Sequence, residues 1–235
     1  MTALPITASS RALHNGTRTL HRMTRLSAPA TAAYLIVLVT TTAVLSTASA
    51  HTDNQLLLDV STNLHQLAHV PLRVLFASAF WTSGWWDLAL WAATFAAIVV
   101  PAERRLGWRR TTIAFAAGHV GATLIVAAGL WIGIQLGVAN PADVLAQDVG
   151  VSYGFFAVVA LAAYLLPSRY RILYLAIPVS YLLAAAAFSH TFTDFGHLTA
   201  VAIGLASYPL VRARPAPVPV GSLLQPRPPQ TGGAG

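Results

Sequence analysis

The chain lacks cysteine and lysine altogether and has few charged residues of either sign. Without cysteine, disulfides, thiolate metal sites and a cysteine nucleophile are excluded. Charged residues make up 9% of the chain, whereas soluble proteins typically contain about 25%. Hydrophobic residues make up 56%, and the mean hydropathy is +0.63. This composition excludes an ordinary soluble domain and predicts an integral membrane protein.

Six apolar runs approach the length of about 20 residues that a helix needs to cross a bilayer. We therefore predict an all-α integral membrane protein, with a six-transmembrane-helix bundle in residues 28–212. A flexible cytoplasmic leader is expected in 1–27, and a Pro/Gly-rich disordered cytoplasmic tail in 213–235. The predicted spans are 30–48, 80–100, 111–134, 150–166, 170–188 and 195–211.

The arginines alternate between the loops that join these spans. Positive residues favour the cytoplasmic side, so both termini are predicted to be cytoplasmic, with only Arg73 on the outer side. The net charge of +7 then reflects topology and attraction to anionic lipid at the cytoplasmic face, and nucleic-acid binding is not expected. The absence of lysine and the abundance of alanine and arginine favour a bacterial plasma membrane. The arginines on the predicted cytoplasmic side are Arg11, Arg18, Arg22, Arg25, Arg104, Arg105, Arg109, Arg110, Arg169, Arg171, Arg212, Arg214 and Arg227.

The segment between the first two spans, residues 54–76, combines polar residues with apolar residues at helical spacing, which predicts an interfacial helix on the outer face. His65 and His69 lie one turn apart in it, but no third ligand is evident, so we predict that they face water and bind no metal. The sequence Ala48-Ser49-Ala50 also fits a signal-peptidase site, so cleavage there stays an alternative. The apolar residues are Leu57, Val60, Leu64 and Leu67.

Ser152 and His197 are predicted to lie at the same depth in the bilayer. Ser152 to Leu166 would form about 22 Å of helix and His197 to Leu210 about 21 Å, whereas the hydrocarbon core is about 30 Å thick. With arginines anchoring the inner ends, both side chains fall several ångströms below the outer surface, in the first turns of parallel helices. We expect them within or slightly beyond hydrogen-bond reach, the minimum arrangement for a base-activated nucleophile.

Each of these residues also has a structural interpretation. Ser152 lies in the run "GVSYG" at 150–154, a pattern typical of a nucleophile elbow on a soluble sheet, which this chain does not predict. Serine and glycine are also common packing residues in membrane helices. An ionisable residue within a span, such as His197, is a functional candidate by default. His119, in the third span, fits a polar contact between helices.

Three segments resemble, in order and register, the rhomboid family of intramembrane serine proteases. The run "GVS" at 150–152 resembles the nucleophile motif that opens the family's fourth helix. The run "GHLTAVAIG" at 196–204 resembles the histidine motif of its sixth helix, and "GWWDLALWAATFAAIVVPAERRLG" at 84–107 resembles its second helix. The resemblance covers roughly residues 30–211 and implies a rhomboid-like six-helix fold.

The resemblance implies a Ser-His dyad, in which His197 takes the proton of Ser152 while the serine oxygen attacks a peptide carbonyl. Single-span membrane proteins would be cleaved near the outer membrane face, without cofactor or metal. Asp194 would bias the orientation of the histidine, and Phe156 would pack beneath its ring. The other implied site positions are Gly150 and Val151 near the oxyanion donors, and Gly154, Gly196, Ala200 and Gly204 as small packing residues.

Three positions depart from the family pattern. Where the family's second helix carries an H-x-x-x-N pair that binds the oxyanion, this chain has Asp87 and Trp91. The glycine that commonly follows the nucleophile is replaced by Tyr153. An ionised Asp87 would repel a developing oxyanion. The alternative is therefore a catalytically inactive rhomboid-like protein that binds transmembrane segments and regulates their folding or degradation.

Because the chain has no cysteine, single introduced cysteines can report its topology without background. We expect cysteines placed near 108 and 169 to react with an impermeant maleimide only after the cytoplasmic face is exposed. Cysteines near 55 and 145 should react in intact cells. Reaction at 108 in intact cells would contradict the predicted topology.

Overall fold

The computed structural model describes residues 27–189 and 191–212 of the chain. All regular structure in these ranges is helical. The predicted tail, and all of the predicted leader except its last residue, lie outside them. In chain order the α-helices are α1 (Pro29–Thr47), α2 (Ala50–Val60), α3 (Leu64–His69), α4 (Pro71–Ala77), α5 (Trp85–Thr94), α6 (Val100–Leu106), α7 (Trp108–Gln135), α8 (Ser152–Ala162), α9 (Ser168–Ser189), α10 (Phe192–Ala206) and α11 (Pro209–Arg212).

Four helical stretches are long and apolar enough to cross a membrane: α1, α7, α9 and the stretch Trp85–Leu106 that contains α5 and α6. They coincide with the first, third, fifth and second predicted spans. The fourth predicted span is a shorter apolar helix, Ser152–Leu165, in which α8 ends in a 3-10 turn. The sixth corresponds to α10, with 15 residues. The all-helical, multi-span architecture is confirmed, and six crossings stay a prediction.

Prolines shift two predicted helix boundaries. Pro101 has no N–H to donate to the carbonyl of Ala97, and the backbone widens into a π-helical turn over Phe95–Val99 just before it. Near the end of the last predicted span, α10 stops at Ala206 and a turn precedes Pro209. A residue before proline is disfavoured in the α conformation, so the helix does not run on to residue 211 as predicted.

The segment predicted as one interfacial helix forms three short helices, α2, α3 and α4. The first break follows Ser61, and Asn63 then caps α3 by accepting a hydrogen bond from the Gln66 N–H at 2.8 Å. The second break falls at Val70, because Pro71 begins α4 and fits the first turn of a helix. Polar capping residues and proline thus divide a stretch whose apolar spacing alone favoured a continuous helix.

α8 lies at the centre of the molecule, between α7 and α10, and these three helices make the most extensive mutual contacts. Eight of its eleven residues are buried, which no other helix matches in proportion among those described. A Cβ atom added at Gly118 of α7 would meet the Ala157 side chain, and one added at Gly204 of α10 would meet the Ala157 backbone. Such small residues drive close helix packing in membranes, where burial from water contributes little.

A buried carboxylate anchors α1 to the arginine-rich end of α6. Glu103 is 2% exposed, and its two oxygens accept hydrogen bonds from the N–H groups of Ala30 and Thr31 at 2.9 and 2.8 Å. The Thr31 hydroxyl donates a third, at 2.5 Å. These are N–H groups of the first helical turn, which lack partners within the helix, and a negative charge there is also favoured by the helix dipole.

The close approach of α8 and α10 predicts a position-specific response to a single added methyl group. Gly204→Ala should lower the free energy of unfolding in detergent by about 1–3 kcal/mol, because the new methyl group overlaps backbone atoms of Ala157. Gly129→Ala in α7 is the matched control, since no atom lies within 4 Å of the added Cβ. The control should be neutral or stabilising by up to about 1 kcal/mol. Equal losses for both variants would contradict this packing.

Candidate functional site

Ser152 is the first residue of α8 and is half-buried. The chain reaches it through Gly150, whose φ of +127° lies in the region that favours glycine. The Gly150 N–H donates to the Ser78 carbonyl at 2.8 Å, and the next residue, Val151, is fully buried. The backbone just before Ser152 is therefore held in place. The sequence analysis predicted Gly150 only as a residue near the oxyanion donors.

The amino end of α8 has no side-chain cap. The N–H groups of a first helical turn have no carbonyl partner four residues earlier, and the helix dipole is positive at that end. The backbone N–H groups of Ser152 and the residues after it can therefore donate hydrogen bonds to an oxygen that becomes negative beside the serine. Gly154, in the same turn, admits the Phe115 ring, because a Cβ there would lie 2.5 Å from that ring.

His197 lies in the second turn of α10, because the helix begins at Phe192, three residues earlier than predicted. Its ring centroid is 5.3 Å from that of Tyr153 and 5.0 Å from that of Phe156. Phe156 is one turn after Ser152, so the histidine packs against the part of α8 that carries the serine. The aromatic contacts hold the imidazole between the two rings.

The Nε2 atom of His197 is buried and has no hydrogen-bond partner among the described residues. The hydrogen bond between Ser152 and His197, which the sequence predicts within or slightly beyond reach, is therefore not formed at this nitrogen in the resting structure. Buried polar atoms without a partner are uncommon in folded proteins. In the tautomer that carries its proton on Nδ1, the Nε2 atom has a free lone pair and can accept a proton.

Asp194 does not bond to His197, although the sequence predicts that it biases the histidine. Its Oδ2 atom accepts hydrogen bonds from the Thr191 hydroxyl at 2.6 Å, the Thr191 N–H at 3.1 Å and the Ser189 hydroxyl at 2.7 Å. Thr191 and Asp194 form a capping box at the start of α10. The carboxylate thus acts on the helix that carries the histidine, and reaches the ring only through the electrostatic field.

Asp87 and Trp91 occupy successive turns of α5. The Asp87 carboxylate accepts a hydrogen bond from the Ser83 N–H at 3.1 Å, which ties it to the backbone just before α5. The Trp91 ring packs edge-on against Phe155 of α8, with centroids 5.3 Å apart. Neither side chain has a hydrogen bond to Ser152 or His197 in the part of the chain that the structure describes.

Tyr153 links the candidate site to the segment between α2 and α3 through Asp148, a residue that the sequence analysis did not select. The Tyr153 hydroxyl donates to Asp148 Oδ2 at 3.3 Å. The Thr62 hydroxyl donates to the same carboxylate at 3.2 Å, and the Asp148 N–H donates to the Ser61 hydroxyl at 2.7 Å. In the sequence, the one signal for this contact was the position of Asp148, four residues before Ser152 and at the edge of an apolar run.

Room for the Tyr153 ring comes from Gly196, because a Cβ atom at that position would overlap the ring. Ala200, one turn later in α10, is fully buried in the same cluster. Tyr153, which replaces the family's usual glycine after the nucleophile, is therefore accommodated by a glycine directly before the histidine. Tyr153 lies on α8, and Gly196 lies on the facing helix α10.

Three other histidines in the described part of the chain, His65, His69 and His119, make hydrogen bonds with residues other than Ser152 and His197. His119 accepts or donates a hydrogen bond with the Ser78 hydroxyl at 3.1 Å, which ties the segment before α5 to α7. The rings of His65 and His69 are 4.5 Å apart, and His69 Nδ1 lies 2.8 Å from the His65 carbonyl oxygen. No group of three or more potential metal ligands occurs among the described residues.

A family model described as "Rhomboid-like protein" matches residues 24–217, which is more than half of the chain. The match includes every described helix and both members of the candidate dyad. No curated protein and no solved structure matches the chain.

The Asp148 carboxyl predicts a pH-dependent contribution to stability. Burial raises its pKa from 3.8 to about 6, against the opposing effect of its hydrogen bonds from Thr62 and Tyr153. When folding raises the pKa of a carboxyl group, the contribution of that group to the free energy of unfolding is fully present below its pKa in the unfolded state. This contribution is lost as the pH rises through its pKa in the folded state. The unfolding temperature of the wild type, relative to Asp148→Asn, should therefore fall between about pH 4 and about pH 7.

Asp143→Asn, in the same loop, is the control for the general effect of removing a carboxylate. Parallel melting curves for the wild type and Asp148→Asn at every pH would contradict the expected titration of Asp148.

Proposed function

Because the chain belongs to the rhomboid-like protein family, we propose that it is an intramembrane serine endopeptidase with Ser152 as nucleophile and His197 as general base. One observation carries the proposal. Ser152 opens an uncapped helix, and the residue one turn later on that helix packs against a histidine whose Nε2 atom is buried and unpaired. A nucleophile, a base with a free nitrogen and a set of backbone donors thus occur at one helix end.

In the proposed reaction His197 Nε2 accepts the proton of Ser152 as the serine oxygen attacks the carbonyl carbon of the scissile peptide bond. The carbonyl electron pair moves to its oxygen, which becomes negative. When the intermediate collapses, the carbon–nitrogen bond breaks and His197 gives its proton to the leaving amine. A water molecule, deprotonated by His197, then attacks the acyl group, and Ser152 recovers its proton as it leaves.

The negative oxygen would be stabilised by N–H groups in the first turn of α8, which lie beside the serine. The Asp87 carboxylate is held by the Ser83 backbone N–H. Loss of one oxyanion donor typically costs about 10²–10³ in rate, so backbone donors would still support catalysis. We infer a slow enzyme.

The reaction would occur near the outer face of the membrane. Ser152–Leu165 forms about 21 Å of helix, shorter than the hydrocarbon core of about 30 Å. We propose six crossings, with both termini on the arginine-rich cytoplasmic side of a bacterial plasma membrane and α2 to α4 as the outer interfacial segment. Substrates would then be single-span membrane proteins with a cleavable bond close to that outer surface.

Binding of transmembrane segments without cleavage is the second candidate function. One observation favours it: Asp87 and Trp91 stand where the family pattern has the H-x-x-x-N pair. In this case the same helices would recognise a client segment and regulate its folding or degradation. The two candidates differ in whether Ser152 is chemically needed.

Cleavage in proteoliposomes separates them. Purified wild-type protein should cleave a panel of single-span substrates, and Ser152→Ala and His197→Ala should each remove nearly all cleavage, because members of a catalytic unit are not additive. Ser180→Ala, which alters an exposed serine on α9, is the control and should cleave at the wild-type rate. The products should be identified by mass spectrometry.

If folded wild-type protein binds the substrates and cleaves none of them, the protease proposal fails and the binding function takes its place. Equal cleavage by the wild type and Ser152→Ala would assign the activity to a contaminant and would equally contradict the proposal.

A further inference from the structure

An apolar groove lies between α1 and α7 and includes the arginine-rich end of the bundle. Its volume is about 540 Å³. Aromatic rings from four parts of the chain form its walls, and none of its described lining residues is acidic. The lining residues are Pro29, Ala30, Thr31, Ala33, Tyr34, Val37, Phe80, Phe95, Val99, Trp108, Thr112 and Phe115.

Two polar side chains at the groove are already bonded elsewhere. The Tyr34 hydroxyl donates to the Ala79 carbonyl, and the Thr31 hydroxyl donates to Glu103. A ligand inside the groove would therefore meet mainly hydrocarbon and aromatic surfaces. Such a lining fits an alkyl chain and offers little to a polar ligand.

One end of the groove carries positive charge. Trp108 lines the groove and begins α7, and the guanidinium of the exposed Arg109 lies over its ring, 5.3 Å from the centroid. No acidic residue lies in the first turn of this helix. A ligand with an apolar tail along the groove and an anionic group at its end would satisfy both features.

The groove matches one leaflet in length. The lining residues of α1 run from Pro29 to Val37, about 12 Å of helix, which is close to the thickness of one leaflet. A single alkyl chain can follow this path, with its anionic group at the Arg109 end.

We propose that this groove binds one acyl chain of an anionic phospholipid, with the phosphate at Arg109. Trp108 lies between the two parts of the lipid, at the level where aromatic residues typically meet headgroups. The bound lipid fills the gap between α1 and α7 and so supports the contact of α1 with the rest of the bundle. This inference does not rest on the protease activity of Ser152.

Native mass spectrometry of the full chain in detergent, with added lipid, tests the proposal. Phosphatidylglycerol and phosphatidylcholine with identical acyl chains are the probes. The wild type should retain one phosphatidylglycerol per chain in preference to phosphatidylcholine. Arg109→Gln should weaken phosphatidylglycerol binding about fivefold, the effect of losing about 1 kcal/mol from one basic residue near a lipid headgroup.

Arg169→Gln is the matched control, because Arg169 also lies over an aromatic ring, that of Tyr170 at 4.7 Å, in another arginine-bearing loop. It should leave binding unchanged. Ala33→Phe fills the groove and should remove the retained lipid, whereas Ala32→Phe, on the adjacent exposed position outside the groove, should not.

Equal retention of the two lipids by the wild type and by Arg109→Gln would overturn the anionic assignment. Retention that survives Ala33→Phe would overturn the groove as the site. A lipid-free dimer that Ala33→Phe converts to monomer would assign the groove to a second copy of the chain and would also overturn the proposal.

Discussion

The close approach of three helix backbones around Ala157 is the constraint on which the rest of the structure depends. Gly118 lies on one side of this alanine and Gly204 on the other, and neither position has space for a methyl group. Because apolar burial from water does not drive helix association in lipid, close van der Waals packing must position α8. Ser152 and His197 stand on two of the three packed helices, so their separation is set by the same contacts.

A second level of support comes from outside the membrane helices. Tyr153 lies against His197, and its hydroxyl is held by Asp148, which is itself bonded to Thr62. Gly196 provides the space that this tyrosine needs. The Tyr153 side chain, at a position where the family pattern has glycine, is therefore accommodated by the facing helix and held by the loop before α8.

Long apolar runs and the glycine motifs were sufficient to predict the helical membrane architecture and the family. Helix ends were less predictable. The last long helix stops at Ala206, because the residue before Pro209 is disfavoured in the α conformation, which hydropathy does not record. Contacts between distant residues were not predictable at all. Asp194 was expected to bias the orientation of His197, and its hydrogen bonds instead form a cap at the start of α10. The Asp148 hydrogen bonds depend on contact between its loop and the residues Ser61 and Thr62. Pairings of this kind depend on tertiary packing that a single sequence does not specify.

Covalent labelling by a fluorophosphonate tests most directly whether the packed helix end activates Ser152. The measurement is peptide mass spectrometry of the folded wild-type protein in detergent after exposure to the probe. Our account predicts an adduct on the peptide that contains Ser152, and its near-complete loss in His197→Ala, because only a base-activated serine reacts at a useful rate. Folded wild-type protein without an adduct at Ser152, or His197→Ala labelled as fast as the wild type, would contradict it.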